Sequence, residues 1–371
     1  VHKAERGKAM AKRLKKIQRF LTEQKLDALL IKSKTMKKYM DTLTGGGCQL
    51  LIMEDHGYLI VDGRYLTEAH EREHDLEIIL HSPHESGRNY LGTVEELLKK
   101  HHCSSLGVEN EEMRIKEYRQ IEAFGMEVRL LNEEISMLRI QKDEEEIAIM
   151  RKAVALTDEI YARVLKELHV GMSEYEISAL LQYFAIKAGA QQMSFDTIVG
   201  TGERSALPHG RPTARTIKAH EPILMDFGIQ YQNYQSDMTR VAFIGKPQPK
   251  IAEIYHIVLE AQLAGIAAIR TGALASDVDK AARDIITKAG YDNYFQHGLG
   301  HGLGIGDGSE YPILNQKGNV ILQEHMMMSC EPGIYLPDIG GIRIEDDVVI
   351  MDGIGVPMNT TTKELTILKE E

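Results

Sequence analysis

Cysteine is scarce in this sequence, long apolar runs are missing, and positive charge is not in surplus. Cys48, Cys103 and Cys330 are an odd number, at spacings that build neither a disulfide ladder nor a zinc knuckle. A reducing compartment, the cytoplasm, is the expectation. No apolar run approaches the roughly 18 residues of a membrane span, so no membrane partner is expected. Against 55 Asp and Glu there are 44 Lys and Arg, a net charge of −11. That balance disfavours nucleic acid, whose binding draws on cations that neutralise phosphates. The basic start, residues 1–24, has no apolar h-region and no small-residue cleavage site, so a signal peptide is not expected there.

What is present is the composition of a folded chain: 371 residues, 43% of them hydrophobic, a length that can hold two cores. Met10, Leu14, Ile17 and Leu21 share one side of a helical period and predict a surface helix. Short β-like runs follow at 26–31, 49–53, 57–61, 76–80 and 106–109, separated by amphipathic stretches. They predict a small α/β domain over residues 1–135, with a second domain over 136–371. In the second, Gly171 and Gly272 each lie 18 residues before the glycine of a Lys-Ala-Gly, at Gly189 and Gly290. Ser173 with Glu176 predicts a capping box, and Ser276 with Asp279 resembles one. A helical unit thus recurs about 101 residues on, as in an internal duplication.

The strand-like segments after each unit carry acids. Asp226 lies inside the apolar run Ile223–Ile229, where a bare carboxylate is costly. Asp237 follows eleven residues later, and a turn centred near Tyr231 and Gln232 would set the two side by side. Glu331 and Glu345 are fourteen residues apart, with the turn Asp338–Gly341 at their midpoint. His297 and His301 sit in a glycine-rich run whose backbone can approach other groups closely. Four carboxylates and an imidazole converging in apolar surroundings would repel one another without cations. An oxygen-rich set with one His suits Mn²⁺ or another hard ion. Hairpin-turn acids, or ion pairs with Arg240 and Arg343, are the plainer alternatives.

The ordered segments Asp226-Phe227-Gly228, Ser236-Asp237-Met238-Thr239-Arg240, Gly300-His301-Gly302, Glu331-Pro332-Gly333-Ile334-Tyr335 and Arg343-Ile344-Glu345-Asp346-Asp347 resemble the Xaa-Pro aminopeptidase and prolidase group of metallopeptidases. Segments 194–199 and 204–210 agree, as does 58–65 with the group's N-terminal domain. The resemblance implies a creatinase/prolidase-type α/β N-terminal domain followed by a pseudo-twofold "pita-bread" catalytic domain. It implies two divalent metal ions, manganese first with cobalt or zinc as alternatives, held by Asp226, Asp237, His301, Glu331 and Glu345. Glu331 would also shuttle a proton, His209 and His297 would face the substrate, and Arg343 would lie near its far end, unless Arg343 forms a salt bridge to a ligand carboxylate. The implied activity is Xaa-Pro aminopeptidase on a proline-containing peptide, with dipeptide-only prolidase next, in a homodimer.

One segment departs from the family. A further His is usual seven residues beyond the ligand His, where Gly308 stands, and the stretch 304–312 is one residue longer. Asp307 or Ser309 could substitute, or the substrate differs, or the protein has kept the fold for binding a partner. A rival lies at His70-Glu71-Arg72-Glu73-His74, an H-E-x-x-H pattern that needs both His on one helical face. Its charged surroundings read as a solvated helix end, and His81, His84, His101 and His102 read as surface residues.

Overall fold

The computed structural model describes residues 2–72, 75–82, 89–306, 308 and 310–370, with 2–9 described by backbone alone. Glu73, His74, His84, Asp307 and Ser309 lie outside the described residues. The chain divides into two compact units, the first ending at Leu138 and the second starting at Arg139.

In the first unit, strands β1 (Ala28–Ile31), β2 (Cys48–Met53), β3 (Gly57–Val61), β4 (Glu77–Leu80), β5 (Ser105–Glu109) and β6 (Glu127–Leu131) form one sheet in the order β4-β3-β2-β1-β5-β6. β1, β2 and β5 are buried along their whole length, which is why apolar residues dominate them, with Gln49, Ser105 and Glu109 as buried polar exceptions. β6 escaped sequence reading because its Glu127-Val128-Arg129 start has the composition of a polar segment; it is an edge strand. The helix His2–Gln24 buries Met10, Leu14, Ile17 and Leu21, the predicted stripe.

The helix Leu66–Glu71 ends at Arg72, whose backbone is extended (φ −89°, ψ 132°). His70 thus stands in the last turn of that helix, and the rest of the H-E-x-x-H pattern, Glu73 and His74, lies outside the described residues. Two of the supposed surface histidines are better housed than expected. His81 is buried, and half-buried His101 puts Nε2 2.6 Å from the Tyr58 hydroxyl with its ring against His56.

The second unit shows the duplication in its backbone. Helices Glu174–Lys187 and Ala275–Lys288 are both 14 residues long, and the four glycines that flank them all have positive φ, between 85° and 94°. Ser173 and Glu176 form the predicted reciprocal cap. The second box does not form. The N-cap is Leu274, and Asp279 turns to Arg283 and to the Leu299 amide, because a buried carboxylate gains more from a cation and a buried backbone N–H than from capping.

Helix Glu144–Val164 with Glu174–Lys187, and Pro249–Ala268 with Ala275–Lys288, each pack on a sheet. The strands are β7 (Gln192–Met193), β8 (Ile198–Thr201), β9 (Ile223–Phe227), β10 (Ile229–Tyr231), β11 (Tyr234–Gln235) and β12 (Met238–Ile244), then β13 (Gly300–Gly302), β14 (Glu310–Leu314), β15 (Met327–Cys330), β16 (Gly333–Leu336), β17 (Gly340–Arg343), β18 (Asp346–Met351), β19 (Ile354–Pro357) and β20 (Thr366–Leu368). One sheet runs β20-β12-β9-β8 and the other β14-β13-β15-β18-β19. Helix Pro249–Ala268 is long and apolar enough to cross a membrane by length and composition, with a mean hydropathy of 1.3. Its Ile251, Ile254, Tyr255, Val258 and Ala261 instead belong to the core, packed with Phe243 and Ile334.

Candidate metal centre and the cavity around it

Strand register brings the acids together. At the tip of the first hairpin Gln230 pairs with Gln235 and Tyr231 with Tyr234, so the turn is Gln232–Asn233, both with positive φ. That is one residue later than expected, and it pairs Asp226 with Thr239 instead of Asp237. Asp237 lies two residues before Thr239 and so projects to the same face as Asp226, diagonally across the ladder. The strands close up at Gly228, where any Cβ would overlap the Ser236 carbonyl oxygen. In the second half the ladder Gly333↔Arg343 to Leu336↔Gly340 and the ladder Met327↔Val349 to Cys330↔Asp346 share one register. That register sets Glu331 opposite Glu345, about the midpoint the sequence indicated.

Asp226, Asp237 and Glu345 are buried and offer carboxylate oxygens that all lie within 4.8 Å of one another. His301 Nε2 is 3.7 Å from Asp237 Oδ2 and 3.6 Å from Glu331 Oε1. Its Nδ1 faces the Gly302 carbonyl at 3.0 Å and must donate there, which leaves the Nε2 lone pair for a cation. Ser329 accepts from His301 N and donates to Glu331 Oε1, both at 3.0 Å. Thr239 Oγ1 donates to Glu345 Oε2 at 2.6 Å, and Asp347 Oδ2 accepts from Asp237 N at 3.0 Å.

Burial pushes the Asp226, Asp237 and Glu345 carboxyls up from their ordinary range, and repulsion from neighbouring carboxylates, Glu331 among them for all three, adds to it, while the Arg343 guanidinium pulls Asp226 and Glu345 the other way. Asp226 Oδ1, Asp237 Oδ1 and Glu345 Oε1 are buried without a hydrogen-bond partner among the described residues. Buried carboxylate oxygens left unpaired in this way are what a cation would satisfy. The donor set of carboxylates and one imidazole fits a divalent ion that prefers oxygen.

Arg343 takes the salt-bridge place. It is buried, its Nη2 pairs with Asp226 Oδ2, Nε donates to Thr239 Oγ1 at 3.0 Å, and Nη1 donates to the Tyr335 hydroxyl at 2.7 Å and to the Pro208 carbonyl at 3.2 Å. Burial pushes the Tyr335 phenol up to about 12, so it stays protonated and donates to His297 Nε2 at 2.8 Å. His297 Nδ1 faces the Gly298 carbonyl at 2.8 Å, and burial lowers the pKa of this imidazole. Both its nitrogens are therefore engaged, and a substrate oxygen reaches Nε2 only by displacing Tyr335. His209 is exposed.

Asp226, Asp237, His301, Glu331, Glu345, His209, His297 and Arg343 all line one cavity of about 750 Å³, whose apolar wall includes Phe195, Ile198, Leu303 and Ile313. Gly308 lines it too, while Asp307 and Ser309, the suggested substitutes for the family His, lie outside the described residues. Sequence reading gave no role to Thr239, Ser329, Tyr335 or Asp347. The available signal was period two: Thr239, Ser329 and Asp347 each stand two residues from a proposed ligand at the end of the same extended segment.

Two duplicated halves facing a cavity, with buried carboxylates and an imidazole aimed into it, define a metal-dependent hydrolase of the pita-bread kind. Residues 148–352 match Metallopeptidase family M24, and residues 13–141 match the Creatinase/Prolidase N-terminal domain. The chain belongs to Metallopeptidase family M24. It is 35% identical over 367 residues to an Xaa-Pro dipeptidase of Pyrococcus furiosus, covering 96% of this chain and 100% of that one. Among solved structures it is similar to an Xaa-Pro dipeptidase from Bacillus anthracis, with TM-score 0.91, 34% identity and coverage of 97% and 100%. It is also similar to an X-Pro aminopeptidase from Thermotoga maritima, with TM-score 0.84, 31% identity and coverage of 92% and 98%.

Proposed function

We propose that this metallopeptidase hydrolyses the bond before proline, using two divalent ions, manganese by preference, held by Asp226, Asp237, His301, Glu331 and Glu345. The observation that carries the proposal is the convergence of three buried carboxylates with unpaired oxygens on one cavity wall. When bound, such ions supply Lewis acidity to a water and to the scissile carbonyl. The chain's own groups do the rest. Glu331, oriented by Ser329, accepts the proton of the attacking water and returns it to the proline nitrogen, a poor leaving group until protonated. His209 donates to the peptide from the wall, and Arg343 holds Asp226 in place.

The likeness to proteins named Xaa-Pro dipeptidase supports a dipeptide substrate. A cavity of about 750 Å³ also has room for chain beyond proline, which favours the aminopeptidase reading. A cytoplasmic homodimer remains part of the proposal, consistent with three cysteines that are free. The test is hydrolysis of Ala-Pro, Ala-Pro-Ala and Ala-Ala-Ala by protein stripped with chelator and reloaded with Mn²⁺. Metal-dependent cleavage before proline is expected, and the preferred substrate decides between dipeptidase and aminopeptidase. Two ions bound without cleavage would shift the substrate elsewhere and implicate the altered 304–312 segment.

A further inference from the structure

The segment from Thr201 to Thr213 leaves β8, makes a short helical turn at Gly202–Ala206 and carries Pro208 and His209 to the cavity. One carboxylate holds both of its ends. Glu174 opens the helix Glu174–Lys187, and its side chain is 0% exposed. Its Oε1 accepts from Thr201 N at 2.9 Å and Thr201 Oγ1 at 3.0 Å, while Oε2 accepts from Thr213 N at 2.9 Å and Thr213 Oγ1 at 2.7 Å. Arg204, inside the segment, brings Nε to 3.3 and 3.1 Å from the two oxygens and donates from Nη2 to the Arg211 carbonyl at 2.6 Å. The buried charge is thus paired, and its lone pairs are filled by the segment itself.

The far flank is docked as well. Ser205 Oγ accepts from Gly341 N at 2.7 Å, and a Cβ at Gly341 would overlap the Ser205 carbonyl. At the tip, the Pro208 carbonyl accepts from Arg343, the partner of Asp226. The helix start does not need Glu174, because Ser173 and Glu176 already cap it. What Glu174 adds is closure of the segment's neck, which removes freedom that the tip would otherwise keep.

We propose that Glu174 is a positioning residue of the peptidase site: by tying Thr201 to Thr213 it holds His209, and the Pro208 carbonyl that orients Arg343, against the cavity. Wholly buried, it acts through the segment and not on substrate. The inference rests on the peptidase reading of the cavity, and its test separates the two.

Glu174→Gln, Thr213→Ala, His209→Ala and the Glu174→Gln/His209→Ala pair are compared as manganese-loaded enzymes. The readouts are kcat and KM on Ala-Pro, metal content, and deuterium uptake at residues 202–212. Glu174→Gln is expected to lower kcat/KM by about 10- to 100-fold at unchanged metal content, the scale of a misplaced catalytic wall. In the His209→Ala background the same change is expected to cost less than about 3-fold, because the two act as one unit. An equal cost in both backgrounds, or a loss that follows lost metal, overturns the proposal. Should Glu174→Gln fail to fold, Thr213→Ala, which keeps the carboxylate and removes one donor, runs the same cycle. If the wild type cleaves no proline peptide, the peptidase reading falls, and uptake still decides the clamp: faster exchange at 202–212 in Thr213→Ala supports it and unchanged exchange refutes it.

Discussion

At the scale of single residues, the site is a balance between buried negative charge and the cations that answer it. Among the described residues Asp237 has no Arg or Lys ion pair of the kind Arg343 gives Asp226, so its charge depends on a bound ion. Asp237→Asn is expected to abolish metal loading and hydrolysis with little loss of structure, read by atomic absorption, turnover and circular dichroism; unchanged turnover would remove Asp237 from the ligand set. Arg343 differs, since its removal strands a buried carboxylate. Arg343→Met is expected to lower the stability of metal-free protein by about 3 kcal/mol, the lower end for breaking a buried pair, measured by urea unfolding. Tyr335, between Arg343 and His297, carries no metal role, and its position was invisible in sequence because the contact spans 38 residues.

Among secondary-structure elements, the two halves look alike in their glycines and differ in their caps. Ser173→Ala should destabilise the protein by about 1 kcal/mol, the usual cost of a lost N-cap. Ser276→Ala should change stability by less than about 0.5 kcal/mol, because Leu274 and not Ser276 caps the second helix. A pair of thermal unfolding curves distinguishes the two. The first hairpin makes a sharper demand at Gly228. Gly228→Ala has to push β9 and the Ser236 backbone apart, and is expected to cost about 1–3 kcal/mol and weaken metal binding, since Asp226 and Asp237 flank that closure.

For the whole molecule, the raised carboxyl pKa values set a pH dependence with a definite sign. Asp226, Asp237 and Glu345 bind protons more tightly in the folded metal-free protein than in the unfolded chain. Stability from these groups therefore falls as pH rises above the ordinary carboxylate range of about 4. Bound metal reverses this by favouring the charged forms. The gain in melting temperature on adding Mn²⁺ to chelator-treated protein should consequently be larger at pH 8 than at pH 5; an equal gain at both would mean that the carboxyls do not exchange protons for metal.

The sequence by itself determined the strands whose faces are both buried, the N-terminal stripe, the paired helices and the identity of the acids. Each of these is local: composition over five to twenty residues decides it. Register at Glu331 and Glu345 was also legible, because a symmetric hairpin puts its ends opposite each other. The diagonal offset of Asp226 and Asp237 was not, since it follows from a turn at Gln232–Asn233, one residue later than the sequence indicated. Nor was the choice of Asp226 as the carboxylate for the salt bridge the sequence allowed Arg343, the tie from Tyr335 to His297, or the closure of 201–213 by Glu174. Those contacts join residues 27 to 117 positions apart, and only tertiary packing, between the two halves for Arg343 and within one half for Tyr335 and Glu174, decides which buried polar group meets which.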